Sequence, residues 1–346
     1  MDALIRQLQA GAELEPREVA AAAEFLLDEA AGVEGKIAFL KALSEKGETA
    51  REIAEFVQVF LERAVDPGLD DLEREGPTID VCGTGGDKLN TFNVSTTSMF
   101  VVAAGGATVV KHGNRGITSK SGGADVLEAL GITIDREGVG VRACLEKAGV
   151  GFLFAPAYHP AFKAVVPVRQ ALAKEGVRTI FNLIGPLLNP ARPQCQLVGV
   201  MNPTLVPVFA EILQRLGRES AWVVNGETQD GRFADEVSLF GPTRICKAGT
   251  FQDLVDEEIA PGDFGLELAD LSEVEGGEAA ENAEILEGIL SGRIKGAKRD
   301  LVALNAGAAL ACAGLADDME AGLRRAFELI ESGAALERLR NLQELG

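Results

Sequence analysis

The sequence predicts an α/β fold in which a small α-helical domain, residues 1–66, precedes a larger domain, residues 78–346, built on a mostly parallel sheet. The first 65 residues carry apolar stripes at helical spacing and no strand candidate. From Ile79 onward, short apolar runs alternate with helical segments, which is typical of a helix-covered parallel sheet. The chain has 346 residues, of which 47% are hydrophobic, so it can bury a sizeable core without disulfides or structural metals.

The N-terminal region is predicted to be entirely helical. Pro16 suits the first turn of the second helix, and Gly47 ends the third. Thr49 and Glu52 have the spacing of a capping box at the start of the fourth helix. Residues 65–78 are acidic and contain two prolines, which indicates a linker to the larger domain.

The larger domain is predicted from strands and helices that follow one another along the chain. The strand candidates are Ile79–Cys82, Thr108–Val110, Gly151–Phe154, Gln196–Val200, Ala221–Val224 and Val237–Phe240. The helix candidates are Thr96–Ala104, Ala124–Leu130, Ala161–Ala173, Leu205–Leu216 and residues 282–291, 299–314 and 317–332.

The acidic composition excludes several classes of protein. Lys and Arg total 33 against 53 Asp and Glu, and this net charge of −20 repels nucleic acid and anionic membranes. We therefore expect neither as a partner, and a local cluster of donors must hold any anionic ligand. Two histidines are too few for a His-rich zinc site, and five isolated cysteines are typical of reduced thiols. Without a signal peptide or an apolar stretch of roughly 18 residues, the chain is expected to be cytoplasmic.

Two glycine-rich loops follow predicted strands. The first, DVCGTGGD at residues 80–87, runs into the hydroxyl-rich and amide-rich segment 90–98 at the start of a helix. Glycines let backbone N–H groups approach an anion, and a helix N-terminus favours phosphate. Taken alone, a tight turn and an ordinary helix cap explain this segment equally well.

The second loop, residues 111–123, places Lys111, Arg115 and Lys120 among glycines and hydroxyls. Taken alone, it has the composition of a solvated basic loop. Together, however, the two loops supply the donors that an extended polyphosphate requires, although neither contains the usual dinucleotide or P-loop motif. The pair of loops therefore predicts a polyphosphate site.

Three further residues are weak signals on their own. Asp235 and Glu236 are adjacent carboxylates that suit Mg²⁺ shared with phosphate, but such pairs are also common in acidic turns. Arg169 can pair bidentately with a carboxylate, but it has equally the character of a helix-surface arginine. No catalytic triad is evident, and His112 and His159 are each either a general base or a packed loop residue.

The chain resembles the anthranilate phosphoribosyltransferase family in six segments: DVCGTGGD (80–87), TFNVST (91–96), KHGNR (111–115), ADVLEALG (124–131), RTIFNLIGPLLNP (178–190) and DE (235–236). The resemblance continues through PGDFGL (261–266) and NAGAALACAG (305–314). It implies a nucleoside phosphorylase-like fold, with part of segment 160–190 joining the helical domain, a site in the cleft between the domains, and a homodimer. It also implies transfer of the 5-phosphoribosyl group from phosphoribosyl diphosphate to anthranilate in tryptophan biosynthesis, with two Mg²⁺ ions per active site.

The resemblance implies roles for individual residues. Phosphoribosyl diphosphate would be held by Gly83, Gly86, Asp87, Thr91, Asn93, Val94, Ser95, Thr96, Lys111, His112, Gly113, Asn114, Arg115, Gly116, Ile117, Thr118, Ser119 and Gly123. Anthranilate would contact Gly83, Asn114 and Arg169, and magnesium would be held by Ser95, Asp235 and Glu236. The residues expected to carry catalysis are Lys111, Ser95 and Arg169. Because departing pyrophosphate gathers negative charge, donors and Mg²⁺ matter more than a strong base.

The chain departs from the family pattern in places. The family usually reads DGxDE where this chain has the longer segment 230–236, and Gly123 stands where serine is common. Two alternatives remain at this stage. One is a related phosphoribosyltransferase or nucleoside phosphorylase with a different acceptor, and phosphorolysis of uridine or thymidine would reveal the phosphorylase. The other is a non-catalytic paralogue that binds nucleic acid, which the acidic charge disfavours and a gel shift would test.

Overall fold

The centre of the fold is an eight-stranded sheet. The computed structural model describes residues 1–74, 76–116, 120–250 and 252–346. The strands are β1 Thr78–Gly83, β2 Thr108–Gly113, β3 Val150–Phe154, β4 Cys195–Gly199, β5 Ser220–Glu227, β6 Phe233–Ala234, β7 Thr243–Ala248 and β8 Val255–Ile259. Their order is β3-β2-β1-β4-β5-β7-β8, with β6 paired to β5. The run from β3 to β5 is parallel and the other pairings are antiparallel, so the predicted mostly parallel sheet is confirmed.

Helices cover both faces of this sheet. They are α1 Asp2–Gln9, α2 Pro16–Leu27, α3 Val33–Lys46, α4 Ala50–Glu62, α5 Val94–Ala104, α6 Gly123–Ala129, α7 Gly138–Ala148, α8 Ala155–Tyr158, α9 Val166–Lys174, α10 Leu205–Arg215, α11 Ala279–Leu290, α12 Ala297–Cys312, α13 Met319–Glu331 and α14 Ala334–Gln343. Short 3₁₀ turns occupy Pro160–Val165, Ile180–Asn182, Gly185–Leu187, Pro261–Phe264 and Leu271–Val274. Among the described residues, the helices lack the length and apolar character needed to cross a bilayer.

The N-terminal helices begin and end where the sequence predicts. Pro16 occupies the first turn of α2, and Gly47, with φ of +86°, ends α3. Thr49 and Glu52 form the capping box of α4, in which the Glu52 carboxylate accepts from the Thr49 N–H at 3.0 Å. These caps satisfy backbone donors that the helix itself leaves unpaired.

Two apolar clusters lie on the two faces of the sheet. One contains α5 and α12, and the other joins the N-terminal helices to α9, α10 and the inner face of β4 and β5. Phe56 and Phe60 of α4 therefore lie in one continuous core with Val198 and Val223 of the sheet. The division into residues 1–66 and 78–346 stays a prediction.

Two elements differ from the prediction for physical reasons. The predicted helix Ala161–Ala173 starts as a 3₁₀ turn, and α9 begins only at Val166, because Pro167 is accepted in a first turn and not in a helix interior. The predicted strand Val237–Phe240 is wrong. The Val237 N–H donates to the Asn305 side chain and the Ser238 N–H donates to the Thr243 side chain, so this segment pairs with no strand that the structure describes.

The strand order sets the position of the functional cleft. The chain runs outward from β1 to β3 on one side and from β4 to β5 on the other, so the order reverses between β1 and β4. In open parallel sheets, ligands bind beyond the carboxyl ends of the strands at such a reversal. Here those ends are Gly83 of β1 and Gly199 of β4, with Gly113 of β2 beside them.

Candidate active site

The glycine-rich loop after β1 begins at this reversal. The Thr84 N–H donates to the Gly199 carbonyl at 2.9 Å, and the Gly85 N–H donates to Asp235 Oδ2 at 2.6 Å. A Cβ atom on Gly83 would lie 2.2 Å from Asp235 Oδ2, so only glycine lets the carboxylate approach. Gly85 and Gly86 have φ of +70° and +86°, which glycine adopts without strain.

Lys111 and Ser95, two of the predicted catalytic residues, are in contact. Lys111 lies near the end of β2 and is 4% exposed. Its ammonium donates to Ser95 Oγ at 3.2 Å and to the Val81 carbonyl at 2.6 Å. An ammonium has three hydrogens, so these two bonds leave a third for an anion. Ser95 is in the first turn of α5, where a helix favours negative charge.

Asn93 and Thr96 tie this helix start to the second loop. The Asn93 amide donates to the Ser121 carbonyl at 3.1 Å. A Cβ atom on Gly123 would lie 2.9 Å from Thr96 Oγ1, so the glycine at this position lets the two segments pack closely. Val94 is buried, and Asp87 and Thr91 are half-buried along the same cleft.

Three carboxylates come together beside Lys111. Asp87 and Glu236 line one small cleft with Thr91, and Asp235 precedes Glu236. Burial raises the pKa of both Asp235 and Glu236. The charge of Asp87 raises the pKa of both further, and the charge of Asp235 also raises that of Glu236. Glu236 Oε2 is buried without a hydrogen-bond partner among the described residues. A divalent cation would relieve this repulsion and bind the free oxygen.

The acidic cluster fits magnesium. Within the ranges that the structure describes, no group of three or more acidic, histidine or cysteine side chains could hold a metal ion. Mg²⁺ typically takes one or two carboxylates and completes its shell with water and substrate phosphate. Asp235 and Glu236 have the oxygen ligands and the open arrangement that this ion uses.

The described residues of the basic loop contact α6. Arg115 is exposed and pairs with Glu128 of α6, its Nη2 lying 2.9 Å from Oε1. Asp125 Oδ2 accepts from the N–H groups of Gly116 and Gly122, both at 2.8 Å, and so joins the two ends of the loop. The predicted residues Ile117, Thr118 and Ser119 lie outside the described residues.

A row of rings leads from β2 to Arg169. His112 meets His159 at a centroid distance of 5.3 Å, His159 meets Phe162 at 5.2 Å, and Phe162 meets Phe181 at 5.7 Å. Arg169 is exposed as a residue, but its guanidinium lies 5.9 Å from the Phe181 centroid, where partial burial lowers its pKa. The row links Arg169 of α9 to the strand that carries Lys111.

Both histidines in this row are neutral packed residues. Burial, followed by the neighbouring His159, lowers the pKa of His112 to about 3. Burial also lowers the pKa of His159, whose Nε2 lies 2.8 Å from the Leu188 carbonyl. Asn114, which follows them in the loop, is exposed, and its Oδ1 accepts from the Arg115 N–H at 2.8 Å.

Asn282 is a site residue that sequence reasoning missed. This residue of α11 is 3% exposed, and its amide donates to Asn93 Oδ1 at 2.8 Å while its Oδ1 accepts from the Gly277 N–H at 2.8 Å. It therefore holds the segment before α5 in place through its hydrogen bond to Asn93. Asn282 and Asn93 are 189 positions apart, so neither motif nor spacing pointed to the contact.

Comparisons with known proteins identify the family of this chain. A sequence model described as "Glycosyl transferase family, a/b domain" matches residues 75–336. The anthranilate phosphoribosyltransferase of Haloferax volcanii is 45% identical over 336 residues, which cover 97% of each chain. This chain belongs to the anthranilate phosphoribosyltransferase family.

Solved structures of the anthranilate phosphoribosyltransferase family share the whole fold. The enzyme from Thermus thermophilus superposes with a TM-score of 0.89 at 37% identity and covers 100% of this chain and 99% of its own. The enzyme from Saccharomyces cerevisiae, solved in complex with PRPP (phosphoribosyl diphosphate) and Mg, has a TM-score of 0.84 at 28% identity, with 99% and 96% covered. A further structure of that yeast enzyme holds 4-fluoroanthranilate.

Membership in the anthranilate phosphoribosyltransferase family confirms several predictions from the sequence. The resemblance, the fold class and the assignment to a glycosyltransferase of tryptophan biosynthesis are borne out. Two of the solved structures of the yeast enzyme contain Mg. The roles of individual residues stay predictions.

Proposed function

We propose that this chain transfers the 5-phosphoribosyl group from phosphoribosyl diphosphate to the amine of anthranilate and releases pyrophosphate. The observation that carries this proposal is the buried Lys111 ammonium, bonded to Ser95 at the start of α5 and facing the acidic cluster. A cationic donor, a helix N-terminus and a carboxylate cluster at one sheet edge suit a diphosphate with its magnesium.

The diphosphate donor occupies the two loops after β1 and β2. The first turn of α5 has no side-chain cap among the described residues, so backbone N–H groups of that turn are left for an anion. Lys111 adds a full positive charge in a buried position. A Cβ atom on Gly83, Gly113 or Gly123 would lie 2.2, 2.9 and 2.9 Å from a neighbouring side chain, so glycine at these positions lets the segments around the donor pack closely.

Asp235, Glu236 and Ser95 hold the magnesium, at two ions per active site. The orphan oxygen of Glu236 and the repulsion among the carboxylates support this assignment. Magnesium supplies charge neutralisation for the diphosphate and its departing pyrophosphate. The expected stoichiometry is two metal ions per chain in a calorimetric titration with pyrophosphate present.

Anthranilate lies between Asn114 and Arg169, with Gly83 between it and the donor. The guanidinium of Arg169 pairs bidentately with the anthranilate carboxylate, and its position over Phe181 brings an aromatic wall to the substrate ring. The nearby imidazoles are neutral, so no fixed positive charge competes with Arg169 for the carboxylate.

Catalysis follows from positioning and from stabilising the leaving charge. As the bond from C1 of the sugar to the diphosphate oxygen breaks, Lys111 and the loop N–H groups stabilise the pyrophosphate. An aromatic amine is unprotonated near neutral pH, so its lone pair forms the new bond to C1 once the two substrates are held together. The proton that the nitrogen then loses passes to the departing pyrophosphate or to water. The chain therefore needs no strong general base.

We also propose a cytoplasmic homodimer. Leu8 and Phe39 are fully buried in the core. Leu4 and Ile5 of α1 are half-buried against the same core, and their remaining exposed surface is available to a partner chain. Light scattering of the purified protein tests this assembly, and a monomeric mass would contradict it.

A fluorescence assay of anthranilate consumption tests the reaction. We expect loss of anthranilate only when phosphoribosyl diphosphate and Mg²⁺ are both present. Folded protein that leaves anthranilate untouched but consumes uridine or thymidine with phosphate would instead show a nucleoside phosphorylase.

A further inference from the structure

The acidic pair, Asp235 and Glu236, lies between two segments that hydrogen bonds hold in place. On one side, β6 pairs with β5, with Ala234 opposite Gly226. On the other side, Val237 is bonded to a side chain from α12: its N–H donates to Asn305 Oδ1 at 2.9 Å, and its carbonyl accepts from Asn305 Nδ2 at 2.9 Å. The two residues between these segments are Asp235 and Glu236.

Asn305 is held firmly in its own place. It is 4% exposed, and its Nδ2 also donates to the Leu301 carbonyl at 2.9 Å, so both amide hydrogens are used. Residues 301–310 of α12 are all buried. A Cβ on Gly307 would lie 2.6 Å from the Leu323 backbone nitrogen, so α12 packs directly on α13. A side chain on such a helix fixes what it binds more precisely than a loop contact does.

Neither neighbour of the acidic pair can move without breaking these contacts. The Asp235 backbone lies against β1 and β4, where a Cβ on Gly199 would come within 1.5 Å of its carbonyl oxygen. Beyond Val237, the Ser238 N–H donates to Thr243 Oγ1 at 2.8 Å. Asn305 provides the bond nearest to Glu236 on that side, and it replaces the strand pairing that the segment lacks.

We propose that Asn305 is a positioning residue for magnesium, which acts by holding the Val237 peptide and thereby aiming the Asp235 and Glu236 carboxylates at the metal. This rests on the proposed role of those carboxylates as metal ligands. Asn305 touches neither substrate nor metal. Loss of outer partners of this kind typically weakens metal binding by about 10- to 100-fold.

The test measures metal binding directly. Free Mn²⁺ is followed by electron paramagnetic resonance during titration of the protein with inorganic pyrophosphate present, for the parent, N305A and N305S. We expect the Mn²⁺ dissociation constant to rise about 10-fold in both variants, while the KM for anthranilate at saturating Mg²⁺ stays within about twofold. N305S serves where N305A folds poorly.

A neighbouring core position gives the matched control. Leu304 is 1% exposed on the same helix, and its side chain has no polar atom that could bond to the Val237 peptide. L304A is expected to lower the melting temperature and to leave Mn²⁺ binding within about twofold of the parent. Equal weakening by L304A would show a general loss of stability and overturn the proposal.

A ligand variant separates this inference from the function on which it rests. E236Q is expected to weaken Mn²⁺ binding more than N305A does. If E236Q weakens Mn²⁺ binding and both Asn305 variants bind Mn²⁺ like the parent, Asn305 is not a positioning residue, but the assignment of the acidic pair as metal ligands is unaffected. If E236Q also binds like the parent, the assignment of the acidic pair to the metal is wrong, and the inference falls with it.

Discussion

The side of the site that we assign to the diphosphate and the side that we assign to anthranilate differ in how closely they are packed. On the first side, Lys111 is 4% exposed and bonded to two other elements, and Asp235 is bonded to the loop after β1. On the second side, Asn114 and Arg169 are both exposed. Donors that stabilise a developing charge must be fixed before the reaction, whereas a substrate carboxylate is matched by a single flexible arginine.

The largest expected effect is the loss of the Lys111 ammonium. Lys111→Met keeps most of the buried stem but removes the charge, so we expect kcat to fall by about 10²- to 10³-fold. Steady-state kinetics at saturating substrates and Mg²⁺ measure this. Ser95→Ala, which removes the hydroxyl that accepts from Lys111, is expected to lower kcat in the same direction. Circular dichroism controls for folding, and near-normal turnover in both variants would contradict the electrostatic mechanism.

A steric probe tests whether the diphosphate side is as rigid as its contacts indicate. A Cβ on Gly199 would lie 1.5 Å from the Asp235 carbonyl oxygen, so Gly199→Ala must displace the acidic pair. Because a displacement of about 1 Å can cost up to 10²-fold in rate, we expect kcat/KM for phosphoribosyl diphosphate to fall by about 10- to 100-fold. A Cβ on Gly262 meets nothing within 4 Å, which makes Gly262→Ala the matched control. Equal rates for the two variants would mean that the loop adjusts freely.

Removal of Arg169 tests the other side of the comparison. A hydrogen-bonded charge pair contributes about 1.5–3 kcal/mol, so Arg169→Ala is expected to raise the KM for anthranilate about 10-fold or more. The KM for phosphoribosyl diphosphate should change little, because Arg169 lies on α9 beyond the row of rings. Arg215→Ala is the control, since Arg215 is exposed and bonded to Glu211 within α10. A rise in the KM for phosphoribosyl diphosphate alone would show that Arg169 does not bind anthranilate and would contradict the prediction.

The sequence predicts those parts of the site whose functional residues are neighbours along the chain. The two loops and the acidic pair stand out because glycines, hydroxyls and charges follow directly after apolar strands. Asn282 and Asn305 do not, because a buried asparagine on a helix has no local pattern and its partners lie 189 and 68 positions away. The error at Val237–Phe240 has the same origin. An apolar run predicts a strand, but here the side-chain amide of the distant Asn305 bonds to the Val237 N–H and carbonyl, which are therefore not paired with a strand.

The smallest expected effect concerns the two histidines between the two sides of the site. Because burial lowers the pKa of His112 to about 3, the folded chain leaves it neutral, whereas the unfolded chain protonates it near its ordinary pKa of about 6.5. Below that pH the unfolded state binds the extra proton, so the free energy of unfolding falls with decreasing pH, by about 1.4 kcal/mol per pH unit for each such histidine.

Comparison with a variant isolates this contribution. Asp235 and Glu236, whose pKa values are raised in the folded state, change the free energy of unfolding in the opposite direction as pH falls, so the parent alone shows only a sum. His112→Gln removes one titrating group and leaves the carboxylates in place. Urea unfolding at pH 7.5 and 5.5 should therefore show a loss of stability that is smaller in His112→Gln by about 1.4 kcal/mol. If the two proteins lose stability equally, His112 is protonated in the folded chain. A second positive charge would then lie beside Lys111. The anthranilate side would no longer be lined by neutral histidines, and this difference between the two sides of the site would be lost.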